Sequence, residues 1–392
     1  MSVSSRIYLD HNATTPLRPS AREAMVDVLE EVGNASSVHG EGRSARARIE
    51  SSRRALAALT GSQAKNIVFT SGGTEANVTA LTPQITLSGK KRPATRAFVS
   101  AVEHASVLGG GRFNPQQVTF LPTTGDGVID KSQAEELIRG EAKSGCVPFV
   151  SVMAANNETG VLQPVAEIAQ LAHESGGYCH VDAVQALGRI PVSIAEWGCD
   201  MVSVSSHKIG GPQGVGALIY GSEEFRVAPL LTGGGQEGRG RAGTENVAAL
   251  AGFGAALQNL REEGDEAVRL EALRDWLEAK LLHICESTVI FAQNARRLPN
   301  TVSFAVPGMV AETTLIGCDL AGVAVSSGSA CSSGKVAPSH VLEAMGVPGD
   351  LARGALRLSL GWTSTQDDVE RFAGIWRGLV KRMKPAQAGK AA

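Results

Sequence analysis

The chain has 392 residues, of which 43% are hydrophobic and 19% charged, and a formal net charge of -2. That length and balance suit a soluble globular enzyme with a large core, expected as two domains. The absence of any long basic run, the 4% aromatic content and the lack of an apolar run near the roughly 18 residues of a membrane span argue against nucleic-acid and membrane partners.

The N-terminal stretch MSVSSRIYLDHNATTP lacks the charged-then-apolar pattern of a secretory signal, so the expected location is cytoplasmic. Short runs rich in valine, isoleucine and phenylalanine then alternate with helical patterns: NIVFT, RAFVS, FVSVMAA, YCHVDAV, DMVSVSS and GALIY. This alternation predicts an α/β fold whose large domain is built on a mainly parallel sheet, with strands buried on both faces. Polar groups recur where these runs stop: Gly73 and Thr74, His104, Asn157, Asp182 and Gln185, then His207 and Lys208. In open α/β sheets the carboxyl ends of strands are where ligands bind.

Beyond them, residues 255–285 carry Leu257, Leu260, Val268, Leu270, Leu273, Leu277 and Leu281 at near-helical spacing and read as one long amphipathic helix. NTVSFAV, SHVLEAMG and ALRLSL follow as a smaller α/β unit, and the tail KPAQAGKAA reads as frayed. The expected division is residues 16–260 as the large domain and 261–392, joined by 1–15, as the small one. In ALRLSL, Leu356, Leu358 and Leu360 face one way and leave Arg357 and Ser359 to the other.

Lys208 ends the strand pattern of VSVSSHKIGGPQGVGALIY and precedes a glycine-rich turn. A lysine used as a Schiff-base nucleophile needs partial desolvation to free its amine, which a buried strand end supplies. Alone it is an ordinary surface lysine. Its company changes that reading. Asp182 in HVDAVQ suits a protonated pyridine nitrogen, and SGGTEAN opens a helix after a strand, where backbone amides and Thr74 can cradle a phosphate. A phosphate cradle, an acid and a lysine at three strand ends are the parts of a pyridoxal phosphate (PLP) site.

None of the six cysteines forms a C-x-x-C pair, so metal and thioredoxin-like readings fail on spacing. Cys146, Cys179, Cys199, Cys285 and Cys318 read as small core hydrophobes. Cys331 differs: VSSGSACSSGK has no apolar face to bury, and a thiol there reads as chemistry presented on a loop. Within it GSACSSGKV misses the Walker spacing by one residue, and GGGQEG at 233–238 fits G-x-G-x-x-G by count without opening an apolar helix.

The ordered blocks YLDHNATTP, GNASSVHGEG, FTSGGTEAN, EHASV, NNETG, HVDAVQ, SSHKIGGPQGVGAL, RAGTENV and SSGSACSS together resemble the NifS/IscS-type cysteine desulfurases, PLP enzymes of the class V aminotransferase type. The resemblance implies the aspartate aminotransferase-like fold type I, a homodimer, and conversion of L-cysteine to alanine with a persulfide left on Cys331. It implies Lys208 as the Schiff-base lysine and His104 as the residue stacked on the ring that assists proton transfer. Asp182 would face the pyridine nitrogen, and Asn157 and Gln185 the phenolic oxygen. Gly73, Thr74, Ser205 and His207 would hold the phosphate, with Thr244 from the partner subunit. Arg357 would clamp the substrate carboxylate and Asn34 would lie nearby. The sulfur would pass to an acceptor or iron-sulfur scaffold protein. A selenocysteine lyase, or another class V enzyme on the same cofactor site, is the alternative reading. Two departures stand out: His11 replaces a residue that is often Asn or Tyr, and the sequence after KRMKPAQAGKAA lacks the extension with which housekeeping members dock a scaffold.

Overall fold

The structure is a computed structural model and describes residues 6–262, 264, 266–327 and 339–383. Cys331 and the C-terminal tail lie outside the described residues.

A seven-stranded sheet forms the frame. In space its order is Ile67–Thr70, Gly216–Tyr220, Met201–Ser205, Tyr178–Asp182, Pro148–Met153, Arg96–Ser100 and Val118–Leu121. All neighbours run parallel except Gly216–Tyr220, which is antiparallel to both of its neighbours. The central strands are buried along their whole length, whereas Phe120 on the Val118–Leu121 edge is 52% exposed.

Alternation places successive side chains on opposite faces. Phe98, Val202, Val204 and Ile219 join one core, while Val99, Met201, Leu218 and Tyr220 join another on the other face. Each such side chain, once fully buried, contributes about 1.5–3 kcal/mol before entropy is charged against it. Because every strand but one points the same way, five loops carrying polar residues emerge at one edge of the sheet. The outlier helps too: Gly216 pairs with both Ser205 and Thr70, so the starts of two loops sit side by side.

A smaller antiparallel sheet has the order Val289–Ile290, Thr301–Ala305, Leu356–Ser359, Ser326–Ser327. Leu356, Leu358 and Leu360 enter a core with Phe304, Phe372 and Trp376, as the alternation predicts. Ile7 and Leu9 belong to this core as well, since Ile7–Tyr8 pairs in parallel with Val323–Ala324.

The long amphipathic stretch is two helices, Val247–Glu262 and Glu266–Ile284. The sequence Glu263-Gly264-Asp265 falls between them and offers no apolar side chain to bury. Leu257 packs in the first core and Leu270, Leu277 and Leu281 in the core of the smaller sheet, while Val268 is 69% exposed. Cys179, Cys199, Cys285 and Cys318 are buried and Cys146 is half-buried. No helix among the described residues is long and apolar enough to cross a membrane.

Candidate active site

The strand ends converge on a cavity of about 310 Å³. Gly73, Thr74, His104, Asn157, Asp182, Gln185, Ser205, His207, Lys208 and Arg357 all line it, brought from the ends of five strands and from the smaller sheet.

Lys208 sits in the single turn Ser206–Lys208 that follows strand Met201–Ser205. Its Nζ donates to the carbonyls of Asn12 at 2.6 Å and Ala13 at 2.8 Å. The same N-terminal segment grips the turn from the other side: Thr15 N donates to His207 O and Thr15 Oγ1 to Lys208 O. His207 Nδ1 lies 3.2 Å from Thr14 Oγ1. Burial, then the charges of Lys208 and Arg189, hold the His207 pKa down at about 4.

Asp182 ends its strand with its carboxylate fully engaged. Oδ2 accepts from Asn77 Nδ2 at 2.7 Å and Oδ1 from Val184 N at 2.9 Å. Burial raises its pKa, opposed by those two hydrogen bonds and by the nearby His104 and Lys208 charges. His104 is shifted the other way, lowered first by burial. Its Nδ1 lies 2.8 Å from Ser106 Oγ and 3.2 Å from Ser106 N.

Gly73 starts the helix Gly73–Ala80 against the wall of the cavity, where a Cβ would meet Val184 Cγ2 at 2.8 Å. The backbone amides of the first turn thus stand open beside Thr74, Ser205 and His207, an arrangement suited to an anion.

Arg357 arrives from the smaller sheet, on the face opposite the leucines. Nη1 donates to Asn157 O at 2.9 Å and Nη2 to Asp10 Oδ1 at 2.8 Å, and Nε is buried with no hydrogen-bond partner among the described residues. Ser359, two residues on, accepts from Asn12 N through Oγ at 2.9 Å.

Amino-acid identity and geometry agree with comparisons to known proteins. A model of the aminotransferase class-V family matches residues 7–372. The chain belongs to the class-V aminotransferases. Within that family it is 42% identical to a cysteine desulfurase of Cereibacter sphaeroides, over 97% of both chains. It is 38% identical to the cysteine desulfurase IscS of Dictyoglomus turgidum, over 96% of this chain and 95% of that one. The structure of a NifS-like protein from Rickettsia africae superposes with a TM-score of 0.85 at 36% identity, covering 96% of this chain and 99% of the other. The fold is that of the fold type I transferases of this class-V group.

Two of the residues expected at the site are not brought to it within one chain. Asn34 is exposed in the loop before helix Gly40–Thr60, and its Oδ1 is turned back to accept from Ser36 N at 2.9 Å. Thr244 is exposed in the loop before helix Val247–Glu262. Its loop is fixed by Arg241, which pairs with Glu75 in the first turn of helix Gly73–Ala80. The G-x-G-x-x-G count at 233–238 is a turn in which Glu237 and Gly238 have positive φ and Glu237 pairs with Arg53.

Asn12, Asn77 and Ser106 line the cavity without having been singled out from the sequence. Asn77 carried a usable signal: it is a polar residue four positions after Gly73, hence on the same helical face. Asn12 carried none beyond its block. His11, the substituted position, is wholly buried under Gly361, and its ring stands edge-on to Tyr8.

Proposed function

We propose that this class-V protein is a PLP-dependent cysteine desulfurase, which converts L-cysteine to L-alanine and leaves the sulfur as a persulfide on Cys331. The observation that carries the reading is the lining of one cavity by an amine, Lys208, a buried carboxylate, Asp182, and a guanidinium, Arg357.

The donor set fits PLP. Gly73, Thr74, Ser205 and His207 would hold the phosphate, Asp182 the pyridine nitrogen, Asn157 and Gln185 the phenolic oxygen, and His104 the ring face. Lys208 would bind the aldehyde carbon covalently, and Thr244 would join from the partner subunit of a homodimer. Bound there, the cofactor supplies an electron sink for the substrate Cα.

The chain's own groups do the rest. Arg357 binds the substrate carboxylate through donors pre-oriented by Asp10 and Asn157. Lys208, held beside the Asn12 and Ala13 carbonyls, takes the Cα proton. His104, kept neutral by burial, accepts a proton from the attacking thiol. The Cys331 sulfur then forms an S–S bond as the substrate Cβ–S bond breaks, and protons returned to the carbon skeleton give alanine. The balance is L-cysteine plus thiol giving L-alanine plus persulfide. The persulfide passes to an acceptor or iron-sulfur scaffold protein in the cytoplasm. A large body at residues 16–260 carries the cofactor, and residues 261–392 with 1–15 form a small body that carries Arg357 and Cys331.

The test is sulfide and alanine production from L-cysteine by wild type, Lys208→Ala and Cys331→Ala. Loss of the cofactor's visible absorbance in Lys208→Ala, with retention of absorbance but loss of persulfide in Cys331→Ala, is the expected pattern. Undiminished turnover by Cys331→Ala sinks the proposal.

A further inference from the structure

We infer that Arg189 is a positioning residue for the cofactor pocket: its buried guanidinium takes the amide oxygen of Gln185 and so leaves that glutamine an N–H for the phenolic oxygen. The inference rests on the PLP reading, in which Gln185 faces that oxygen.

Gln185 and Arg189 share one turn after strand Tyr178–Asp182. Ala186 N and Leu187 N donate to Ala183 O, and Arg189 N donates to Ala186 O. Gly188 has a φ of 77° and no room beside it, since a Cβ would meet Leu260 Cδ1 at 2.9 Å. The chain thus folds Arg189 back over Gln185, where Nη1 donates to Gln185 O at 3.0 Å and also to Gln185 Oε1. Nη2 donates to His11 O at 3.3 Å. Across 173 positions of sequence, Gln185 Nε2 donates at 3.0 Å to Asn12 O, which also takes Lys208 Nζ. The guanidinium and the glutamine amide therefore grip consecutive residues of the N-terminal segment.

An amide can be turned end for end without changing its shape, so its partners set its sense. A guanidinium only donates and a backbone carbonyl only accepts. Oε1 must therefore face Arg189, and Nε2 must face Asn12. The reversed amide would set N–H against N–H and oxygen against oxygen. Nε2 carries two hydrogens and gives one to Asn12 O. The other is left for the cavity that Gln185 lines, where an ionised phenolic oxygen accepts it.

Arg189 is 8% exposed, and each of its hydrogen bonds among the described residues goes to a neutral oxygen. Burial, then the Arg357 charge, lowers its pKa to about 9 against the pull of Glu266. Burying a cation on neutral acceptors is costly, and closing a turn does not require one. Fixing the sense of an amide at the cavity does, because only a group that cannot accept excludes the reversed form.

The experiment titrates the apoprotein with PLP and follows the holoprotein's visible absorbance against pH, with the urea midpoint of each variant alongside. Arg189→Met keeps the bulk and removes the donors, a change that folded proteins often tolerate at buried ionic positions. It should weaken PLP binding about tenfold. It should also raise the pH midpoint of the absorbance change by about one unit, because an N–H on the phenolic oxygen opposes the proton shared with the Lys208 nitrogen. Gln185→Glu, which pairs with Arg189 but has no N–H to offer, should raise the midpoint at least as far. Arg189→Lys, which retains a donor, should recover most of the affinity and the midpoint. Arg189→Met combined with Gln185→Leu should be no worse than Gln185→Leu alone. A wild-type midpoint in Arg189→Met or Gln185→Glu, multiplicative losses in the double variant, or weaker PLP binding that tracks a lower urea midpoint alone would each overturn the inference. Should Arg189→Met not fold, Arg189→Gln takes its place with the same expected rise, since its amide can accept and no longer forbids the reversed Gln185. Failure of the wild type to bind PLP would instead sink the cofactor reading, so the two failures are distinguishable.

Discussion

Arg357 Nη2 donates to Asp10 Oδ1 at 2.8 Å, an ion pair between residues 347 positions apart, with the arginine side chain 4% exposed. The pair aims a planar fork at the cavity and spares a buried guanidinium from standing uncompensated.

Arg357→Lys keeps the charge and loses the fork, since a lysine ammonium cannot pair with a carboxylate bidentately. The KM for L-cysteine should rise about ten- to hundredfold while kcat changes far less, reflecting a lost pair of charge-assisted hydrogen bonds. Asp10→Asn should shift KM in the same direction. Steady-state kinetics check both, and an unaltered KM in Arg357→Lys removes the arginine from substrate binding.

Asn77 Nδ2 holds Asp182 Oδ2 at 2.7 Å inside the protein. A hydrogen bond to a charged group is worth about 1.5–3 kcal/mol. Asn77→Ala should therefore weaken PLP binding roughly ten- to hundredfold. Titration of the apoprotein with PLP measures this, and wild-type affinity would mean that Asp182 needs no orientation from the helix.

Gly361 leaves room for the His11 ring, which a Cβ would meet at 2.0 Å from Nδ1. Both residues are buried, so Gly361→Ala should destabilise by about 1–3 kcal/mol. A lower urea midpoint at unchanged slope is the expected result.

His180 lies fully buried between Ser151 Oγ and Ser203 Oγ, each 2.8 Å from a ring nitrogen. Burial lowers its pKa to about 3. The unfolded chain, with a histidine pKa near ~6.5, then binds one more proton than the folded chain between those values. The stability at issue is present above pH ~6.5 and drains away as pH falls, by about 1.4 kcal/mol per unit. His180→Asn lacks this titration. Its stability deficit against wild type should shrink by that slope below pH ~6.5, measured by denaturation at several pH values. A deficit constant with pH would show that the ring is not forced neutral.

Much of this was readable in the chain. The strands were visible because residues buried on both faces leave a local apolar signature, and the polar residues at their ends were visible because turns follow at once. The division of residues 255–285 into two helices was not. Leucine spacing runs on across residue 264, and only the presence of two separate cores, one taking Leu257 and the other Leu270, gives a reason to break. Asn34 matched its block yet turns its side chain to its own loop.

The sequence by itself determined the kinds of group available and their place at the ends of elements, because those depend on neighbours a few residues away. The tertiary structure alone decided that Asn12 and Ala13 carbonyls receive the Lys208 amine, and that Asp10 meets Arg357. These contacts arise from the packing of one sheet's edge against another. Packing is a property of surfaces assembled from distant segments, and no local pattern encodes which of them will touch.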